Sequence, residues 1–324
     1  MHVNFRPLRT LPVSLALLLA LPGAAGAATV RVEPFREPPE GSACGKYSAC
    51  PADMVVFTAA PGEVNDVSIA YEALARRGNS VLYRYLVRDH SSTIQPGGGC
   101  ERVDMFAVAC RAESLGPVEL GDLEDRVSAP DIGGHPVSGG TGDDVLAVPD
   151  GEGGPGDDVL TGTTGDGGPG NDLLRCSPGQ SDFCDLDGGR GNDLLRCLPR
   201  RAFCDLDGGP GNDRLIGGQT NSRDPGKQDN LLGGGGRDFL DGRAGNDKLE
   251  GGSGNDRLRG GGGRDVLRGG TGADRLEARE LRSLGERTAR DVVSCGAGRR
   301  DRAIVDRRDR VTRCERVTRP RRAR

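Results

Sequence analysis

Gly251-Gly252-Ser253-Gly254-Asn255-Asp256-Arg257-Leu258-Arg259 is the stretch from which the fold can be read. Its order is two glycines, a variable residue, a glycine, a variable residue, Asp, a variable residue, a large apolar residue and a variable residue. The same order starts at Gly233, Gly242, Gly251, Gly260 and Gly269 without a gap. Eleven copies, some degenerate, lie between Gly139 and Glu277. Every copy has Leu two residues after its Asp, which a glycine-rich acidic linker has no reason to do. A fixed period of this kind means a stack of similar units, each able to bury its apolar face only against its neighbours.

The repeat resembles G-G-x-G-x-D-x-U-x of the repeats-in-toxin, or hemolysin-type, calcium-binding proteins. That resemblance implies an all-β fold, a parallel β-roll (a β-helix-like solenoid). Six residues of each nonapeptide turn, three form a strand, and two nonapeptides complete a coil. It also implies calcium as the only cofactor, held as multiple ions. The sixth positions supply the expected metal ligands: Asp144, Asp158, Asp172, Asp193, Asp213, Asp229, Asp238, Asp247, Asp256, Asp265 and Asp274. Calcium is a hard ion taking six to eight oxygens, and turn carbonyls with Asp carboxylates offer only oxygen. Magnesium demands a stricter geometry than a flexible turn provides. Stacked coils also line up like charges, so metal binding and folding are expected to be one event. The eighth positions, Leu146, Leu160, Leu174, Leu195, Leu215, Leu231, Leu240, Leu249, Leu258, Leu267 and Leu276, form the expected core column.

Two look-alike inserts, Cys176 to Asp187 and Cys197 to Asp207, each end Phe-Cys-Asp-Leu-Asp. Counting back from Leu186 and Leu206 puts Cys184 and Cys204 at the sixth position, in place of the ligand. With sides alternating from Gly153 onward, one edge carries Asp172, Asp193, Asp213, Asp238, Asp256 and Asp274. The other carries Asp158, Cys184, Cys204, Asp229, Asp247 and Asp265, and is expected to be interrupted midway by two disulfides. The insert from Gln219 to Gln228 makes Asp229 the weakest of the later ligands. The ten cysteines fall into close pairs: Cys44 with Cys50, Cys100 with Cys110, Cys176 with Cys184, Cys197 with Cys204, and Cys295 with Cys314. In an exported chain such pairs read as disulfides, and no pair has the two-residue spacing of a zinc knuckle.

The chain divides by composition into five parts. Residues 1–27, with Arg6, Arg9, an apolar stretch from Leu11 to Leu21 and a small-residue end, read as a cleavable signal peptide. Many members of the family leave through a dedicated exporter without such a leader, so this is a departure from it. Residues 28–116 read as a small β-rich region with strands at Met54 to Thr58, Val67 to Tyr71, Val81 to Val87 and Met105 to Cys110. Residues 117–138 read as degenerate coils, with Asp125 in a ligand position, residues 139–277 as the calcium roll, and residues 278–324 as an Arg-rich cap. The segment Asp291 to Gly298, followed by Asp301, Asp306, Asp309 and Cys314-Glu315, resembles the family's closing segment. From residue 278 on there are 16 Arg against 7 acidic residues, a balance of +9, leaving −13 elsewhere in a chain of net charge −4. The absence of Trp and the 3% aromatic content allow no large packed core.

These readings point to an extracellular calcium-binding structural or surface-associated protein, with a secreted hydrolase or adhesin carrying the roll as accessory module as the alternative. No catalytic residues are expected. There is neither an H-E-x-x-H helix nor a G-x-S-x-G elbow, and Asp89-His90-Ser91 are adjacent residues that cannot face one another as a triad. The partners expected besides calcium are an anionic cell surface or extracellular glycans. Nucleic acid is disfavoured because the basic tail lacks interleaved aromatics. No transmembrane segment is expected in the mature chain, and the protein reads as a monomer.

Overall fold

The structure, a computed structural model, describes residues 27–34, 53–77, 80–130, 136–177, 182–198, 203–218, 228–279 and 289–319. The leader (all but Ala27) and the Cys44–Cys50 pair lie outside the described residues. The described residues form 29 β-strands and no helix. Two sheets, of 14 and 15 strands (sheets I and II), face one another along the whole length. Successive strands of the roll alternate between them, and within each sheet all roll strands are parallel.

The parallel register follows from the repeat. Position eight meets position eight in the next coil: Leu146, Leu160, Leu174, Leu195, Leu215, Leu240, Leu258 and Leu276 form one column in sheet II. Leu186, Leu206, Leu231, Leu249 and Leu267 form the facing column in sheet I. All thirteen are buried, none above 3% exposed. A one-residue slip would turn every one of them to solvent, so the Leu spacing pins the register.

The side assignment expected for Asp158 is corrected by the sheets. The residues between the copies at Gly139, Gly153 and Gly167 are not loops. Asp150–Glu152 and Thr164–Asp166 are short strands paired into sheet I, so each five-residue insert is a complete half-coil and the full coil is only five residues longer than one nonapeptide. Asp144, Asp158 and Asp172 therefore lie on one edge, 14 residues apart, where later full coils take 18. These half-coils put Gly151 and Gly165 at the inward position, against Leu146, Leu160, Leu174 and Leu186 side chains. A short coil has room for one leucine, not two, and an inward glycine leaves no apolar signal to read.

The N-terminal region continues both sheets. Asp53–Thr58 pairs in parallel with Ser114–Glu119, and Asp66–Arg77 pairs in parallel with Arg126–Ser128, so the first degenerate coil is stacked directly on it. Asp66–Arg77 and Ser80–Asp89 form a hairpin longer than the apolar pattern indicates. The expected strand at Met105 starts instead at Ala107, because Asp104 Oδ1 accepts the Phe106 N–H and closes a turn there. Past Glu277 the roll goes on through Val292–Gly298, Arg302–Val305, Arg310–Thr312 and Arg316–Thr318. The basic segment is thus further coil, closed by the Cys295–Cys314 disulfide.

Candidate calcium ladders

At each turn the sixth-position Asp uses its two oxygens differently. Oδ1 accepts the backbone N–H of the equivalent residue one coil earlier. The chain of such bonds runs from Asn65 N–H to Asp125, then Asp144, Asp158, Asp172, Asp193, Asp213, Asp238, Asp256, Asp274 and Asp301, at 2.6–3.0 Å. It ends where Glu315 Oε2 accepts the Asp301 N–H at 2.8 Å. Every one of these aspartates is almost wholly buried. They are nevertheless carboxylates in a stack, at the turns leading from sheet I into sheet II.

The other oxygen, Oδ2, lacks a hydrogen-bond partner among the described residues in Asp125, Asp144, Asp158, Asp172, Asp193, Asp213, Asp238, Asp247, Asp256, Asp274 and Asp301. A buried carboxylate oxygen without a donor is costly, and so many in one line call for a shared counter-charge. From Asp144 to Asp274 the space beside each is defined by the first glycine of its repeat. At Gly251, a Cβ would meet Asp256 Oδ2 at 2.5 Å and the Gly269 carbonyl oxygen at 2.6 Å. Gly233 and Gly242 stand the same way toward Asp238 and Asp247, and toward the carbonyls of Gly251 and Gly260. A carboxylate oxygen and a carbonyl from the next coil thus converge on a pocket that any side chain would fill. The donor set is all oxygen, which suits a hard divalent cation and calcium in particular. The second glycine is needed for a different reason. Gly252 has φ of 102°, and a Cβ there would overlap the Gly234 carbonyl of the coil before.

The second ladder is shorter. Cys204 N–H donates to Asp229 Oδ1, and the series continues through Asp247, Asp265, Asp291 and Asp309 at 2.8–3.1 Å. Cys184 pairs in register with Cys204, so both cysteines stand on this edge and not beside Asp193. Because Asp158 belongs to the other edge, the cysteines begin this ladder; they do not interrupt it midway. Cys176–Cys184 and Cys197–Cys204 are both disulfide-bonded, as is Cys100–Cys110. The sulfurs of Cys176, Cys197 and Cys204 lie within 4.8 Å of one another, and the disulfides use them all. Asp229 differs from its neighbours: the Gly218 N–H donates to its Oδ2 at 2.7 Å, so both oxygens are engaged by protein.

Burial raises the carboxyl pKa values, and the stacked like charges add to it. Asp144, Asp172 and Asp213 are pushed up to about 7, and Asp125, Asp158, Asp193, Asp229, Asp256 and Asp274 to about 6. Asp247 reaches about 9, through burial first and then the charge of Asp229. Asp238 is also raised by burial. The backbone N–H bond to each Oδ1 opposes the shift and does not cancel it. The metal-free ladder resists ionisation, whereas a divalent cation between the carboxylates would favour it.

All eleven aspartates expected as ligands lie on these two ladders. Asp125, Asp291, Asp301 and Asp309 lie on them as well. The short signal they share with the repeats is Asp, any residue, then an apolar or small residue (Val127, Val293, Ala303, Val311); it is legible at Asp125, whereas Asp291 and Asp309 lack the preceding glycines and Asp301 follows Gly296 and Gly298 out of step with the nonapeptide. Asp89-His90-Ser91 serves a turn: Asp89 Oδ1 accepts N–H bonds from Asp66, Ser91 and Ser92 and the Ser91 hydroxyl, while His90 Nε2 lies 3.1 Å from Ser68 Oγ.

Stacked parallel half-coils with a carboxylate and carbonyl pocket repeated from turn to turn define a metal-binding β-roll. The model of the RTX calcium-binding nonapeptide repeat matches four stretches of this chain, residues 152–175, 205–222, 227–258 and 250–280. The protein therefore carries RTX repeats, and its roll is a calcium-binding module. Comparison with curated proteins gave no match. No helix among the described residues is long and apolar enough to cross a membrane.

Proposed function

We propose that the protein is an extracellular, non-catalytic scaffold whose roll folds when calcium binds and then stays rigid enough to present its outer faces at a cell surface or in a matrix. The observation that carries this reading is the row of buried Asp Oδ2 atoms without a donor along the first ladder. Without a cation that row is a column of desolvated carboxylates about 5 Å apart. With one, each coil gains a cross-link to the next. The leucine column is one side chain wide per half-coil, too thin to hold so long a stack against chain entropy unaided.

Four disulfides among the described residues, three of them inside the roll, support an oxidising compartment and with it export. The disulfides lock the coils where Cys184 and Cys204 replace ligands, so the staples and the metal divide the second edge between them.

The test is a calcium titration of the mature chain followed by circular dichroism, with magnesium as control. Cooperative gain of β-structure with calcium alone is the expected result. A chain fully folded in chelator, with no change on adding calcium, would refute metal-driven folding. Peptide, ester and glycan hydrolysis assays on the folded protein test the non-catalytic part, and turnover of any of them would overturn it.

A further inference from the structure

The register that aligns the leucines also aligns whatever lies on the outer faces. On sheet II, Arg257, Arg275, Arg302 and Arg316 occupy the same outward position in four successive strands, and all four are exposed. Arg259 stands beside them, and a shallow depression of about 280 Å³ lies among Phe239, Arg257, Arg259, Arg275 and Glu277. On sheet I, Glu152, Asp166, Asp187 and Asp207 occupy one outward position in four successive strands. Asp185 and Asp205 pair beside them. Neither column forms a salt bridge among the described residues.

Like charges set directly opposite one another in a sheet are destabilising, and each column repeats that arrangement three times. Both columns have four rungs at the strand spacing of about 4.8 Å, so each is about 14 Å long. They match in number, pitch and opposite sign. The two sheets turn their backs on each other across the leucine core, so one molecule cannot bring its own columns together. A second copy can. Such a contact joins different patches, is heterologous, and extends as an open array instead of closing into a dimer.

We propose that the arginine column on sheet II of one molecule docks on the carboxylate column on sheet I of another, so that folded rolls associate into open, salt-sensitive assemblies. By sequence alone the protein reads as a monomer; the register supplies the reason for more. Only the stacked roll brings the four arginines into line, since they lie in four separate stretches of the chain. Assembly is therefore confined to the folded state.

The test is sedimentation velocity on the mature protein in saturating calcium, at low salt and at ~1 M salt, where the Debye length of ~3 Å is shorter than one rung. Species at least twice the monomer mass are expected at low salt and monomer at high salt. The variant Arg257→Glu/Arg275→Glu/Arg302→Glu should be monomeric at low salt, as should Asp166→Arg/Asp187→Arg/Asp207→Arg. Mixing the two should restore assembly, because their columns are again complementary. Calcium-dependent circular dichroism checks that each variant folds, and single Arg275→Glu, expected to lower the dissociating salt concentration, serves if a triple variant does not. Wild type that stays monomeric at low salt while folded overturns the proposal. So does a mixture that fails to reassemble, or a wild type that ignores its own copies while its arginine column binds polygalacturonate, which would assign the column to an acidic polymer.

Discussion

Replacing Asp256 by Asn and by Ala separates the two roles of a ladder carboxylate. Asp256 Oδ1 accepts the Asp238 N–H at 3.0 Å, and its Oδ2 faces the pocket under Gly251. Asn keeps an oxygen for the Asp238 N–H and removes the charge; Ala removes both. In chelator the ionised wild-type carboxylate is a burden, because burial and then Asp238 lift its pKa from 3.8 to about 6. At pH 7 that difference corresponds to roughly 3 kcal/mol of destabilisation of the metal-free fold. Asp256→Asn should relieve up to about that amount and give a more stable metal-free state. Asp256→Ala gains the same relief but leaves a buried N–H unsatisfied, a cost of about 1–3 kcal/mol, so its net gain should be smaller than that of Asp256→Asn, between about zero and 2 kcal/mol. With calcium both should be poorer than wild type, since both lack the anionic oxygen. The assay is urea unfolding by circular dichroism, in chelator and in saturating calcium. Equal behaviour of the two variants in chelator, or an unchanged calcium response in Asp256→Asn, would refute the division of labour between Oδ1 and Oδ2.

Other consequences can be measured with the same equipment. Leu240 is fully buried between Leu215 and Leu258, so Leu240→Ala should cost about 2–5 kcal/mol and raise the calcium needed for half-folding. The native ladder binds more protons than the unfolded chain wherever its carboxyl pKa values are raised. Metal-free stability should therefore be greatest below pH 4 as far as these groups decide it. It should fall as pH rises through about 6 to 7, and Asp247 should extend the loss to about 9. Calcium affinity should move the opposite way, strengthening from pH 5 to pH 8; a calcium midpoint independent of pH would contradict it. Gly252→Ala should destabilise the roll by more than about 1 kcal/mol, because Gly252 has φ of 102° and its Cβ would overlap the Gly234 carbonyl; Gly262→Ala, with open space and no positive φ, should not. Replacing Cys176 and Cys184 together by Ser should lower urea resistance by about 2–4 kcal/mol in calcium, and mass spectrometry of the unreduced wild type should find the Cys176–Cys184 cross-link.

The parallel β-roll and its inward leucines are legible in the sequence, because a nonapeptide with Leu two residues after every Asp admits one stacking register; the single leucine column expected from it is two facing columns, one in each sheet. The same count, back from Leu186 and Leu206, puts Cys184 and Cys204 at sixth positions, and the structure has them on the second ladder's edge. The sequence did not decide the edge for Asp158. Asp150–Glu152 and Thr164–Asp166 are half-coils with glycine facing inward, and glycine carries no periodic signal. Nor did it reveal that Asp291, Asp301 and Asp309, read only as part of a closing segment, prolong the ladders, for Asp291 and Asp309 lack the glycines and Cys295 stands where the coil of Asp301 would have its first one. One carboxylate oxygen goes to the backbone and the other to the pocket only in the tertiary structure, because that depends on which N–H the preceding coil offers. The two opposed charge columns belong there too. Residues such as Arg257 and Arg316 are far apart along the chain, and only the pairing of parallel strands makes them neighbours in one line.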